Sequence, residues 1–175
     1  MKKLFLSMVV ALIAISANAQ VYVGGGVGIG STKVDVDGAE SVTTYKFVPE
    51  VGYNLNDDWA VGVTFGWKGS NKGGEKGFSI APYARYTFVH SKIVDVFVDG
   101  TLGYEHLYGG DDIDTDIFTV GFKPGLAVKL TNNLSFVTHV GFIGYEHDKV
   151  HDTKVNSFGL DLDGTNILFG INYKF

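Results

Sequence analysis

The sequence predicts an all-β fold: one eight-stranded antiparallel up-and-down transmembrane β-barrel, closed by pairing of its first and last strands. Three observations carry this. The 175 residues hold 24 Gly, 13 Phe and 9 Tyr, but only 3 Pro and no Cys. Apolar residues recur at every second position in run after run, which is the period of a strand with one greasy face. The connections alternate between short turns and long polar loops, as they do when a membrane surrounds a barrel's waist. Mean hydropathy is only slightly positive, because alternation leaves no long apolar run.

The chain's end shows the alternation most clearly. In Thr165 to Phe175, the residues Ile167, Phe169, Ile171, Tyr173 and Phe175 share one face, with Leu168, Gly170, Asn172 and Lys174 between them. A long apolar edge strand would invite aggregation, and closing a barrel with it removes the edge.

The earlier strands follow in order. Val21 to Ser31 sets Val21, Val23, Val27 and Ile29 against a second face of Tyr22, Gly24, Gly26, Gly28 and Gly30. No G-x-G-x-x-G match and no following helix support a phosphate loop. Glycines facing the lumen leave room for long side chains from other strands. Tyr45 to Leu55, Trp59 to Lys68, Phe78 to Val89, Val94 to Tyr104, Ile117 to Leu130 and Leu134 to Tyr145, the last with Leu134, Phe136, Val140 and Phe142 outward, complete the eight. Short turns are expected at 56–58, 90–92 and 131–133, and longer loops near 32–44, 69–77, 105–116 and 146–157. About eleven residues at roughly 3.3 Å each, tilted, cross an apolar band of roughly 25 Å.

Two irregularities stand out. Phe158, Leu160 and Leu162 alternate on even numbers and Ile167 to Phe175 on odd ones. A bulge near Asp163–Asn166 would keep one continuous strand; alternatively, residues 158–162 belong to a loop hairpin. The three prolines, Pro49, Pro82 and Pro124, each stand outward in a strand running from loop side to turn side. Proline removes a ladder hydrogen bond, so a bulge or bend is expected at each.

Residues 1–19 read as a cleaved signal peptide, leaving 20–175 as the barrel domain. Lys2 and Lys3 precede the apolar run Leu4 to Ile15, and Ala17-Asn18-Ala19 is a small-x-small cleavage site. The mature chain then carries 12 basic and 19 acidic residues, a net charge of −7, which argues against nucleic acid as a partner. With no Cys, disulfides and thiolate metal sites are excluded.

Outward aromatics sort by height into two girdles, with Trp67 and Tyr104 near the loop ends and Tyr53, Trp59 and Phe136 near the turn ends. Inward charges must pair, because eight strands enclose a lumen just wide enough for side chains. Glu50, Arg85, Asp99, Lys123 and His139 fall near mid-height, so an Arg85–Asp99–Lys123 ion cluster is expected, with Asp95 as a second partner of Arg85. The third long loop carries Asp111, Asp112, Asp114 and Asp116. They lack EF-hand spacing and read as a solvated acidic loop, so no metal or other cofactor is expected. Gly-Tyr-Glu-His occurs at 103–106 and 144–147. Strand parity turns His106 outward and His147 inward, which separates them as metal ligands. No nucleophile–base–acid set emerges, and the chain is not expected to be an enzyme.

The signal peptide, the alternating strands and the terminal Tyr173-x-Phe175 resemble the small bacterial outer-membrane barrels of the OmpA/OmpX-like class. The prolines in descending strands are similar to the "porin family" barrels of Bacteroidetes. The resemblance implies an outer-membrane location with periplasmic termini and long loops outside. It implies that the alternating Phe169, Ile171, Tyr173 and Phe175 are read by the barrel assembly machinery. Membrane lipid and lipopolysaccharide are the expected partners, along with an unknown extracellular ligand for the loops, and the protein is expected to be a monomer. The expected role is structural or surface-interacting with a plugged lumen. The alternative is a narrow channel or a carrier of small hydrophobic molecules.

Overall fold

The computed structural model describes residues 20–32, 42–71, 76–108, 114–150, 153–161 and 168–175, which contain strands and no helix. Ten strand segments form the wall: β1 (Val21–Thr32), β2 (Val42–Asn54), β3 (Trp59–Ser70), β4 (Lys76–His90), β5 (Val94–Tyr108), β6 (Asp114–Lys129), β7 (Leu134–His139), β8 (Phe142–Val150), β9 (Thr153–Asp161) and β10 (Leu168–Lys174). Neighbours in sequence pair antiparallel from β1 to β6. The seventh wall position is β7 followed by β8, both paired with β6. The eighth is β9 on β8 and β10 on β7. Pairing of β10 with β1, from Tyr22 opposite Lys174 to Val27 opposite Phe169, closes the barrel. This is the eight-stranded closure expected from the sequence.

Each of the three short turns is built by one device. The side-chain oxygen of the turn's polar residue accepts from the backbone amides two and three residues on. Asn56 Oδ1 takes Asp58 and Trp59 at 2.9 and 2.8 Å. Ser91 Oγ takes Ile93 and Val94 at 3.1 and 3.0 Å. Thr131 Oγ1 takes Asn133 and Leu134 at 3.2 and 3.0 Å. Short polar side chains of this kind favour turns for this reason.

The prolines share a pairing rule, and of the bulge or bend expected at each, a bulge stands opposite Pro124 alone. Every proline keeps its pairing with the preceding strand: Gly25 opposite Pro49, Val63 opposite Pro82, Val98 opposite Pro124. Toward the following strand the ladder skips the proline and the residue before it. Pro49 and Pro82 cause no register shift. At Pro124 the opposite strand holds an extra residue, since Gly125 faces His139 whereas Phe122 faces Ile143. That bulge is Val140–Gly141, where Gly141 has φ 81°, a conformation that only glycine adopts readily. Val140 N donates to Pro124 O at 2.9 Å across it. A further bulge lies in β4 between Thr87 and Val89, away from any proline.

The Gly141 bulge reverses side-chain parity. Ile143 and Tyr145 face outward, and Phe142, expected outward, faces the lumen against Lys123. The bulge expected near Asp163–Asn166 lies outside the described residues. Phe158 and Leu160 before it, and Phe169, Ile171 and Tyr173 after it, are all exposed on the outer surface. Residues 158–161 are strand, paired with β8. The polar stretch expected as a loop at 146–157 is therefore largely strand, in the two arms of the β8–β9 hairpin.

The exposed large apolar residues run around the whole wall, from Val27, Phe47 and Trp67 to Phe122, Leu126 and Ile171. A soluble domain could not carry so extensive an apolar surface; a bilayer makes it the solvated face. On the loop side, Phe47 stacks on Trp67 at 6.3 Å, and Tyr104 meets Phe78 at 6.2 Å and Phe118 at 4.9 Å. On the turn side, Trp59 meets Tyr86 at 4.8 Å and Tyr173 meets Phe175 at 5.2 Å. Tyr53 lies among the exposed aromatics on the turn side, and Phe136 stacks on Phe169 at 5.8 Å.

Candidate functional site in the barrel lumen

The lumen's centre is a polar cluster drawn from six wall segments. Arg85 on β4 lies directly across from Asp99 on β5. The guanidinium grips the carboxylate through two bonds, Nε to Oδ1 at 2.7 Å and Nη2 to Oδ2 at 2.8 Å. This is the bidentate geometry for which arginine is suited. His139 Nε2, on β7, donates to Asp99 Oδ2 at 2.8 Å. Glu50 on β2 approaches Arg85 Nη2 at 4.0 Å and accepts from Asn172 Nδ2 on β10. Tyr22 on β1 and Tyr83 on β4 share a hydroxyl–hydroxyl hydrogen bond of 2.6 Å. The guanidinium sits 4.0 Å from the Phe97 ring centre, with the Tyr83 and Tyr22 rings at 5.2 and 5.8 Å. Phe97 meets His139 edge-on at 5.4 Å. Phe97 is 1% exposed, Asp99 3% and Arg85 8%.

Glycine makes room for these rings. Tyr22, Tyr83 and Phe97 each stand directly opposite a glycine on the neighbouring strand: Gly52, Gly62 and Gly125. A Cβ on Gly62 would lie 2.6 Å from Tyr83 Cζ, and one on Gly125 2.6 Å from Phe97 Cε2. The aromatic rings thus lean over bare backbone and reach the lumen's axis. Alternation in the sequence places Tyr22 on the lumen face, but does not mark Tyr83, Phe97 and Asn172 as members of the cluster. The cross-strand pairing of aromatic with glycine is the signal that could have found the rings.

Two expected members lie elsewhere. Lys123 is the cross-strand partner of Asp99, yet it makes no ion pair among the described residues; its contact is the Phe142 ring, 5.9 Å away. Arg85 and His139 already hold the Asp99 oxygens. Asp95 does not reach Arg85. It pairs with Lys129 at 2.8 Å near the turns, where His90 meets Asp58 at 2.9 Å. Space remains on both sides of the cluster: a cavity of about 310 Å³ on the loop side, bordered by Asp99, and about 910 Å³ on the turn side, bordered by Arg85.

At the loop-side rim the Gly-Tyr-Glu-His repeat is a repeat of structure. Tyr104 OH and His106 Nδ1 both donate to Asp116 Oδ1, at 2.8 and 2.7 Å. Tyr145 OH and His147 Nδ1 both donate to Asn156 Oδ1, at 2.7 and 2.5 Å. Each acceptor stands directly opposite its histidine. The expected difference in parity is wrong, because the Gly141 bulge turns Tyr145, and with it His147 two residues on, to the outer face. Asp116 is thus occupied by hydrogen bonds, Asp114 is exposed at the start of β6, and Asp111 and Asp112 lie outside the described residues.

A closed antiparallel barrel with a girdled apolar exterior and a polar interior defines an outer-membrane β-barrel protein. The chain belongs to the outer membrane protein beta-barrel domain family, whose pattern matches residues 4–175. Among solved structures it is similar to Neisserial surface protein A (NspA), with 18% identity and a TM-score of 0.57. That match covers 90% of this chain and 98% of the other, a likeness of fold. A search of curated proteins finds no match to the sequence.

Proposed function

We propose that this outer-membrane barrel is plugged by its own side chains and serves a structural or surface-interaction role through its four long loops. The observation that carries the plug is the Arg85–Asp99–His139 cluster with the Tyr22–Tyr83 bond beside it. In this reading residues 1–19 direct export, the termini and short turns face the periplasm, and the loops face outward. The terminal strand addresses the assembly machinery, and the monomer's partners are lipid and lipopolysaccharide. The reading includes no catalysis and no cofactor.

The alternative, a narrow channel or a carrier of small hydrophobic molecules, draws on the cavities on either side of the cluster. Swelling of proteoliposomes in isotonic sugars of graded size separates the two. The plug reading expects swelling no faster than in protein-free vesicles, and swelling that falls off with sugar size would favour a channel.

A further inference from the structure

We propose that the loop-side lumen cavity is a binding site for a small molecule with one carboxylate and an apolar body, its charge taken by Lys123 with help from Lys46. The inference goes beyond the plug and does not depend on it, because the cavity lies on one side of the cluster.

Lys123 projects from β6 into this cavity. The charges that act on it are Lys46, which repels it, and Asp99 and Glu105, which attract it. Both carboxylates are committed elsewhere. Asp99 is held by Arg85 and His139 at 2.7–2.8 Å, and Glu105 pairs with Lys68 at 3.2 Å. Glu50 faces Asn172 and Arg85, and Glu146, which also lines the cavity, is already engaged. Among the described residues, the side-chain ammonium of neither Lys123 nor Lys46 has a hydrogen-bond or carboxylate partner, and Lys123 meets only the Phe142 ring at 5.9 Å. An ammonium inside a protein wall without a counter-ion is costly, and a bound anion would relieve that cost.

The cavity's shape and lining narrow the ligand. Its volume of about 310 Å³ is at the small end for ligand pockets. Phe142, Val48, Ala81 and Val137 give it apolar walls, while Thr101 and Thr119 supply hydroxyls. Lys46 is exposed and Lys123 half-buried, so one partly desolvated charge needs balancing. A dianion would carry excess charge toward Asp99, Glu50 and Glu105. These features together select a monoanion with an apolar body over inorganic phosphate.

The test uses full-length mature barrel refolded in detergent micelles, with backbone amide NMR shifts followed during titration by benzoate, benzyl alcohol and inorganic phosphate. The expected result is saturable shifts with benzoate, centred on Thr119–Lys123 and Phe142, and none with the neutral alcohol. Lys123→Met and Lys46→Met, checked for fold by heat-modifiable gel migration, should each weaken benzoate binding, roughly tenfold or more for Lys123, the loss of one charge-assisted hydrogen bond. Equal response to benzoate and benzyl alcohol would overturn the proposal. So would saturation by phosphate alone, or the absence of any saturable shift, or undiminished binding in both variants. The wild-type titrations decide the question even if a variant fails to fold.

Discussion

Arg85 and Asp99 face each other directly across β4 and β5, joined by two parallel hydrogen bonds at mid-lumen. The pair is more buried than any other ion pair among the described residues, and His139, Glu50 and three aromatic rings pack around it. A buried pair adds little net stability by itself, but removing one partner strands the other. Asp99→Ala is therefore expected to cost roughly 3–5 kcal/mol, measured by urea unfolding in lipid vesicles. Arg85→Met combined with Asp99→Leu should cost much less than the sum of the single changes. An unaltered unfolding midpoint in Asp99→Ala would count against the buried cluster.

The glycines beneath the rings yield a second expectation. A valine at Gly125 would push its side chain into Phe97 and toward Thr138 O, 2.9 Å from the added Cβ. Gly125→Val should destabilise by about 1–3 kcal/mol, as overpacked cores do, and Phe97→Leu in the same chain should recover part of the loss. Recovery separates a steric cause from weakened strand pairing.

Gly141 offers a test of the bulge. With φ 81° it is a poor position for a β-branched side chain, so Gly141→Val should cost about 1–3 kcal/mol. A neutral result would mean the bulge can shift along β7 and β8 without penalty.

Phe175 ends the closing strand on the outward face beside Tyr173. Its deletion is expected to reduce insertion into the outer membrane, read as loss of heat-modifiable barrel from envelope fractions, while leaving barrel refolded in vitro nearly as stable. Normal insertion would contradict the assembly-signal role.

The fold was legible because alternation survives locally: each strand shows its two faces without reference to its neighbours. The turns were legible too, because Asn56, Ser91 and Thr131 act within their own few residues. Parity was lost wherever a strand holds an extra residue. Gly141 looks like any other glycine in the sequence, and past it strict alternation puts Phe142 and His147 on the wrong faces. The Arg85–Asp99 pair could be anticipated from turn-to-residue distances in adjacent strands. The Tyr22–Tyr83 bond could not, since it crosses the lumen between β1 and β4, and strand alternation carries no information on contacts across a barrel. Lys123 failed to join the cluster because pairing by proximity ignores competition: an arginine fork and a histidine had already taken the carboxylate.

The central claim, a lumen closed by the Arg85–Asp99 cluster, is tested most directly by single-channel recording of the refolded barrel in a planar bilayer. The plug account expects a flat baseline for the wild type, with discrete openings appearing in the Arg85→Ala, Asp99→Ala double variant. Stable, reproducible conductance steps in the wild type would contradict it.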